Sequence, residues 1–106
     1  MASRYSYIIS KQAVEDIEST MQYITENLCN QKAANDLFEE IVKTIDIACE
    51  FPLSFPTSGY YFIQDQNVRH TVIGNYILFY EIRETEKRIE ILRFRFSGIY
   101  FSNKTK

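Results

Sequence analysis

Residues 67–101 decide the fold of this chain, and they read NVRHTVIGNYILFYEIRETEKRIEILRFRFSGIYF. β-Branched and aromatic residues alternate with charged residues along the stretch, which is typical of half-buried strands. Gly74-Asn75 interrupts the first run, and the charged tetrad at 84–87 interrupts the second. The pattern therefore predicts three consecutive antiparallel strands.

The first half of the chain predicts a short strand and two helices that cover this sheet. YSYII at 5–9 is rich in β-formers, and Ser10 and Asn30 are suitable helix caps. Apolar residues recur at helical spacing after each cap, up to about Glu50. In the first helix the buried stripe is predicted to comprise Ala13, Ile17, Met21, Ile24 and Leu28. The acidic residues predicted to face away from it are Glu15, Asp16, Glu18 and Glu26.

The order strand, helix, helix, strand, strand, strand indicates an α+β fold. We expect an N-terminal strand, an antiparallel helical hairpin and a three-stranded antiparallel meander, with the helices on one face of a twisted sheet. The loop after Phe51-Pro52 carries several aromatic residues and is predicted to pack against the sheet. The 106 residues are enough to bury one modest core, so we expect a single domain over 1–106.

Composition excludes several classes of function. Neither an apolar run of about 18 residues nor a leader precedes Arg4, so we expect a cytoplasmic protein that does not span a membrane. Cys29 and Cys49 lack metal-ligand spacing and are predicted to be buried thiols. The three glycines are too dispersed for a phosphate-binding loop. We expect no metal, no cofactor and no small-molecule substrate.

Charge is divided unequally along the chain. Residues 1–66 hold four basic and ten acidic residues, whereas residues 67–106 hold eight basic and four acidic residues. The helical half is therefore negative and the strand half positive. Such asymmetry favours an anionic partner for the strands, either a nucleic acid or an acidic peptide. The alternative is a charged sheet face that only contacts solvent.

The alternation along the strands assigns side chains to the two faces of the sheet. Leu92, Phe94 and Phe96 are predicted to face the helices and Arg93 and Arg95 to face away, because burying unpaired guanidinium groups is prohibitive. In the preceding strand the residues predicted to face inward are Leu78, Tyr80 and Ile82, and those predicted to face outward are Ile77, Phe79 and Glu81. The expected partner-binding surface consists of Ile77, Phe79, Arg93 and Arg95.

The chain resembles the RelE/ParE toxin superfamily of bacterial type II toxin-antitoxin modules. The resemblance rests on the element order, SKQAVEDIESTMQYI at 10–24, the FP..FP.SG pattern at 51–59, VRHTVIGNYILFYEI at 68–82 and RIEILRFRF at 88–96. It covers nearly the whole chain. It implies a small toxin of the fold described above, held inactive by a cognate antitoxin whose C-terminal segment wraps across it.

The resemblance implies one of two activities. RelE-like members bind the ribosome and promote mRNA cleavage with basic residues and a His or Tyr, whereas ParE-like members lack those residues and poison DNA gyrase. RelE-like toxins commonly place an arginine after the tyrosine of the central strand and a basic residue or histidine past the last strand. Here Ile77 follows Tyr76, and Ser97-Gly98 follows the last strand. Both departures favour the ParE-like activity.

Two alternatives stay open. RNA cleavage needs a base, a proton donor and cations around the phosphate, and a substitute set of catalytic residues would comprise Arg69, Arg93, Arg95 and Tyr100. The other alternative is a degenerate toxin that only binds its antitoxin. Arg69 could also pair with Asp65 or Glu81. His70, the single histidine, could act as a base, although we expect a neighbouring group to satisfy it.

Overall fold

The computed structural model describes residues 4–57 and 68–98. The elements in chain order are β1 (Ser6–Ile9), α1 (Lys11–Gln22), a π-helical turn (Tyr23–Asn27), α2 (Gln31–Glu50), β2 (Val68–Ile73), β3 (Tyr76–Arg83) and β4 (Arg88–Phe96). The predicted α+β class and order of elements are confirmed. No helix within the described ranges has the length and apolar character needed to cross a membrane.

The four strands of the described ranges form one sheet in the order β1-β4-β3-β2. β2, β3 and β4 form the predicted antiparallel meander, and β1 lies parallel to β4 at one edge. A parallel pair needs a long crossover connection, which the two helices provide together with the meander. Gly74 adopts φ 58° in the β2–β3 turn, a left-handed conformation that glycine adopts without steric cost.

Both predicted helix caps are present. The Ser10 hydroxyl accepts a hydrogen bond from the Ala13 N–H at 3.1 Å, and the Asn30 side chain accepts one from the Ala33 N–H at 3.0 Å. The predicted burial of Leu28 is wrong, because this side chain is 55% exposed. The π-helical turn before it inserts an extra residue and rotates the following positions off the apolar stripe.

The main core lies between the helices and one face of the sheet. Tyr80 and Phe94 are its largest fully buried side chains. Leu78 and Ile82 belong to the same cluster, so the predicted inward set of β3 is confirmed. Phe96 is half exposed, so the predicted cover by the helices does not reach the end of β4.

Candidate functional site

The four predicted partner-binding residues come together on the sheet face away from the helices, which we call the distal face. In the β3–β4 register Ile77 lies opposite Arg95, and Phe79 lies opposite Arg93. However, Ile77 is 0% exposed and Phe79 is 2% exposed. The expectation that these two side chains form an open apolar surface is therefore wrong. They instead form a second buried cluster with Val68.

A β-bulge in β4 changes which face Leu92 joins. Phe79 pairs with Arg93, but the next residue, Tyr80, pairs with Ile91, so Leu92 is an extra residue in β4. A bulge interrupts the alternation of side chains. Leu92 consequently packs against the distal cluster instead of facing the helices with Phe94. The predicted inward orientation of Leu92 is wrong for this reason.

Arg93, the residue after the bulge, contacts the first helix. Its Nε donates to Asp16 Oδ2 at 2.8 Å, and its Nη2 donates to Asp16 Oδ1 at 3.1 Å. The Phe94 N–H donates to the same carboxylate at 3.0 Å. The prediction that Asp16 turns away from the core is therefore wrong, and its side chain is only 14% exposed.

The position of Asp16 follows from where β1 ends. The last paired residue of β1, Ile9, lies opposite Ile91, so β1 does not reach the β4 edge at Phe94, and no other strand of 4–57 and 68–98 pairs there. Ser10 continues the connection there, because its backbone N–H donates to the Ile91 carbonyl and its hydroxyl donates to the Leu92 carbonyl. The helix that starts at this point places Asp16 beside this part of the β4 edge, where its carboxylate accepts the Phe94 N–H.

The electrostatics of this contact favour the ionised carboxylate. Burial alone raises the pKa of Asp16, but the Arg93 hydrogen bonds, the Phe94 N–H and the charges of Arg93 and Arg95 outweigh burial and lower it. The Arg95 side chain forms no hydrogen bond or ion pair with the residues of 4–57 and 68–98. The two neighbouring arginines therefore differ, since Arg93 is bound by an internal carboxylate and Arg95 is not.

Arg69 has a structural contact on the opposite face. It lies opposite Tyr80 in the register, and its Nη1 donates to the Phe55 carbonyl at 2.6 Å. The Tyr80 hydroxyl donates to the Pro52 carbonyl at 2.7 Å. Burial raises the pKa of Tyr80 to about 12, although the charge of Arg69 opposes the shift. Together the two side chains fasten the loop that follows α2, as expected for its described part.

The other predictions for Arg69 and its neighbours have different outcomes. Its predicted ion pair with Glu81 is absent, since Glu81 lies on the other face and contacts Arg83 at 3.3 Å. Asp65 lies outside the described residues. His70 lies on the distal face opposite Phe79, with ring centroids 6.3 Å apart, and its backbone N–H donates to the Pro56 carbonyl. The ring therefore packs near Phe79, and the expectation that a neighbouring group satisfies the imidazole stays a prediction.

The three candidate catalytic residues within the described ranges do not form one site. Arg93 and Arg95 are neighbours, but Arg69 projects from the helix-facing side. Tyr100 lies outside the described residues. Within the described part of the chain, no three His, Cys, Asp or Glu side chains are close enough to hold a metal ion.

A groove between β1 and α2 was missed by the sequence reasoning. It has a volume of about 120 Å³, and Tyr7, Phe38 and Val42 line it with side chains that are about half exposed. Phe38 and Val42 belong to the apolar residues that recur at helical spacing after Asn30, a pattern that predicts burial. The signal against this placement was the width of the stripe, because paired apolar residues at 37–38 and 41–42 exceed what one packing face can bury.

Comparison with known proteins gives one family and several similar structures. The model of the ParE toxin of the type II toxin-antitoxin system parDE matches residues 7–97. Comparison with curated protein sequences gives no match. Among solved structures, the chain is similar to the chromosomal ParDE system from P. aeruginosa, with a TM-score of 0.69 and 14% identity over 90% of this chain and 98% of that chain.

Two RelE-type complexes are also similar. The archaeal RelE–RelB complex from Pyrococcus horikoshii has a TM-score of 0.60 and 21% identity, and the alignment covers 90% of this chain and 97% of that chain. The RelBE2 toxin-antitoxin complex from Mycobacterium tuberculosis has a TM-score of 0.53 and 15% identity, covering 88% and 98%. At these identities the structural likeness shows a shared fold.

Proposed function

Because this chain belongs to the ParE toxin family of type II toxin-antitoxin systems, we propose that it stops bacterial growth by acting on DNA gyrase and not by cleaving mRNA. The observation that carries the proposal is the disposition of the arginines. Arg69 and Arg93 lie on opposite faces of the sheet, and each is held by a group of the chain itself. The site of action would be the cytoplasm, where the chromosome lies.

RNA cleavage of the RelE type requires several groups to act on one phosphate. A base must take the proton from the 2′-hydroxyl, and cations must stabilise the charge that develops on the phosphate. Arg93 is already bound to Asp16, and Arg69 is bound to the Phe55 carbonyl. Ile77 occupies the position where the resemblance implies an arginine in ribonucleases, and it is fully buried. These contacts support a target other than RNA.

The test is expression of the chain alone in a bacterial host, with DNA and protein synthesis followed separately. We expect DNA synthesis to fail first, and we expect the purified chain to inhibit supercoiling by gyrase. Ribosome-dependent mRNA cleavage without an effect on gyrase would overturn the proposal. Growth without arrest would overturn it as well and would favour an inactive toxin that only binds its antitoxin.

We further infer that a cognate antitoxin binds the groove between β1 and α2. The three similar structures are described as toxin-antitoxin systems or complexes. In this chain the groove combines half-exposed Phe38 and Val42 with β1, which lies at the edge of the sheet. An edge strand beside an apolar groove suits a partner segment that adds a strand and inserts large apolar side chains.

The partner-binding role predicted for Ile77, Phe79, Arg93 and Arg95 stays a prediction, and one experiment compares the two surfaces. Phe38→Asp changes the groove, and Arg95→Glu changes the distal face. Phe51→Asp is the matched control, because Phe51 is also exposed but lies outside the groove.

We expect Phe38→Asp to weaken antitoxin binding by roughly tenfold or more, and the control to leave it unchanged. Isothermal titration calorimetry measures the affinity, and circular dichroism checks that each variant is folded. Loss of affinity in Arg95→Glu alone would place the antitoxin on the distal face.

A further inference from the structure

The contact between Asp16 and Arg93 has a consequence for which targets the chain can bind. We propose that Asp16 is a specificity-determining residue, which withholds the Arg93 guanidinium from the phosphates of RNA. The inference rests on the proposed function, because it explains how a toxin with a cationic strand at β4 avoids RNA as a ligand.

The geometry around Asp16 is that of an occupied anion site. Two nitrogen atoms of Arg93 and the backbone N–H of Phe94 donate to one carboxylate, at distances from 2.8 to 3.1 Å. An arginine fork supported by a backbone N–H binds a phosphate in the same manner. Asp16 therefore occupies the position that a phosphate oxygen would take.

The site is accessible from outside. The Arg93 side chain is 38% exposed although its head group contacts Asp16. Arg95 follows two residues along the strand and acts electrostatically on the same carboxylate. Removal of the Asp16 charge would leave two neighbouring cations without that internal counter-charge. Adjacent arginines of this kind attract a nucleic acid backbone.

Asp16→Asn tests the role of the charge with little change of shape. The amide oxygen of Asn can still accept the Phe94 N–H, but the negative charge that binds Arg93 is lost. Asp36→Asn is the matched control, because Asp36 also forms an ion pair, with Lys32 at 2.8 Å, and the substitution changes the net charge equally. The probe is a fluorescently labelled single-stranded RNA of mixed sequence, and fluorescence anisotropy measures its binding over a range of salt concentrations.

We expect Asp16→Asn to raise RNA affinity at low salt by roughly threefold or more over Asp36→Asn. The slope of log affinity against log salt is expected to become steeper by about 0.7, the value for one additional phosphate contact on a single strand. In the double variant Asp16→Asn with Arg93→Gln both gains are expected to disappear. Equal RNA binding by folded Asp16→Asn and Asp36→Asn would overturn the proposal.

A second comparison does not depend on the folding of the Asp16 variant. With Asp16 in place, Arg93→Gln is expected to leave the salt slope unchanged, whereas Arg95→Gln is expected to lower it. An equal decrease in both variants would mean that Arg93 already contacts RNA, which would overturn the proposal. Gyrase inhibition by the unaltered chain is measured separately, so a failure of this inference is distinguishable from a failure of the proposed function.

Discussion

The central side chains are equally inaccessible to solvent on the two faces of the sheet, but the buried clusters to which they belong differ greatly in size. The helix-facing side joins α1, α2 and three strands in one large cluster around Tyr80 and Phe94. The distal face holds a small cluster formed by Val68, Ile77 and Phe79, yet Ile77 is as inaccessible as the core residues. Alternation in a strand therefore identifies the face of a side chain but not its exposure to solvent.

The same comparison applies to the charged residues. A positive strand half predicted a cationic binding surface, but Arg69 and Arg93 are each bound by groups that lie elsewhere in the sequence. The ion pair of Arg93 reaches across to Asp16, on the negative helical half. Part of the charge asymmetry is thus compensated within the fold, whereas the Arg95 side chain forms no hydrogen bond or ion pair within the described residues.

The largest effect is expected on the helix-facing side. Phe94→Ala removes a fully buried ring from the main core and is expected to lower the free energy of unfolding by about 3–5 kcal/mol. Phe96→Ala is the control on the same strand, where the ring is half exposed, and its expected cost is about 1 kcal/mol or less. Urea denaturation measures both values. Similar costs for the two variants would contradict the assignment of the core.

The distal face is tested by Ile77→Ala. Because this side chain is fully buried, the substitution is expected to lower the free energy of unfolding by about 2–4 kcal/mol, close to the cost in a core. Its cross-strand neighbour Val72 is half exposed, and Val72→Ala is expected to cost about 0.5 kcal/mol or less. Equal small costs would mean that the distal face is open, as the sequence alone predicted.

The parts of the fold that the sequence predicts well are those with a period or a local signal. The two caps, the strands and the inward set at Leu78 and Tyr80 all follow from residues close in sequence. The bulge at Leu92 and the π-helical turn each add one residue to a regular element. The apolar pattern of the sequence shows no break at either position, so it does not predict them. The bulge places Leu92 on the face opposite to its predicted one, and the π-helical turn rotates Leu28 off the apolar stripe.

The candidate site was predicted less well because its decisive contact is long-range. Asp16 and Arg93 lie 77 positions apart, and an acidic residue on an amphipathic helix ordinarily faces solvent. Nothing in the local pattern indicates that β1 ends early enough to leave the Phe94 N–H uncovered. The sequence places Arg93 on the distal face, but it does not predict Asp16 as the partner of Arg93, because that contact depends on where β1 ends.

The Asp16–Arg93 contact between the helical half and the strand half is tested by Asp16→Asn. At neutral pH the substitution is expected to lower the free energy of unfolding by about 1.5–3 kcal/mol, the range for hydrogen bonds to charged groups. The pKa of Asp16 in the folded chain lies below its unfolded value of 3.8. Its contribution is therefore fully present above the unfolded pKa and is lost as the pH falls through the folded pKa.

Denaturation of both proteins between pH 7 and pH 2 measures this loss. The difference in stability between the unaltered chain and Asp16→Asn is expected to decrease as the solution becomes acidic. Glu18→Gln, an exposed residue of the same helix, is the control and is expected to change stability by about 0.5 kcal/mol or less. A pH-independent difference would mean that Asp16 contributes through shape and not through its charge.

The smallest effect is expected where the loop after α2 meets the helix-facing side. Tyr80→Phe removes the hydroxyl that donates to the Pro52 carbonyl, and its expected cost is about 0.5–1.5 kcal/mol at neutral pH. Because the pKa of Tyr80 is raised to about 12, the neutral phenol is favoured in the folded state. Its stabilising contribution is complete below the unfolded pKa of 10.0 and is lost as the pH rises through the folded value.

Alkaline denaturation between pH 9 and pH 12 separates this contribution from simple packing. The unaltered chain is expected to lose stability more steeply than Tyr80→Phe, because only in the unaltered chain does unfolding expose the Tyr80 phenol, which then ionises and favours the unfolded state. Tyr7→Phe, at a half-exposed side chain, is the control and is expected to follow the unaltered chain. If Tyr80→Phe also followed it, the loop would be held by Arg69 and by ring packing alone, and the Tyr80 hydroxyl would have no part in fastening it to the sheet.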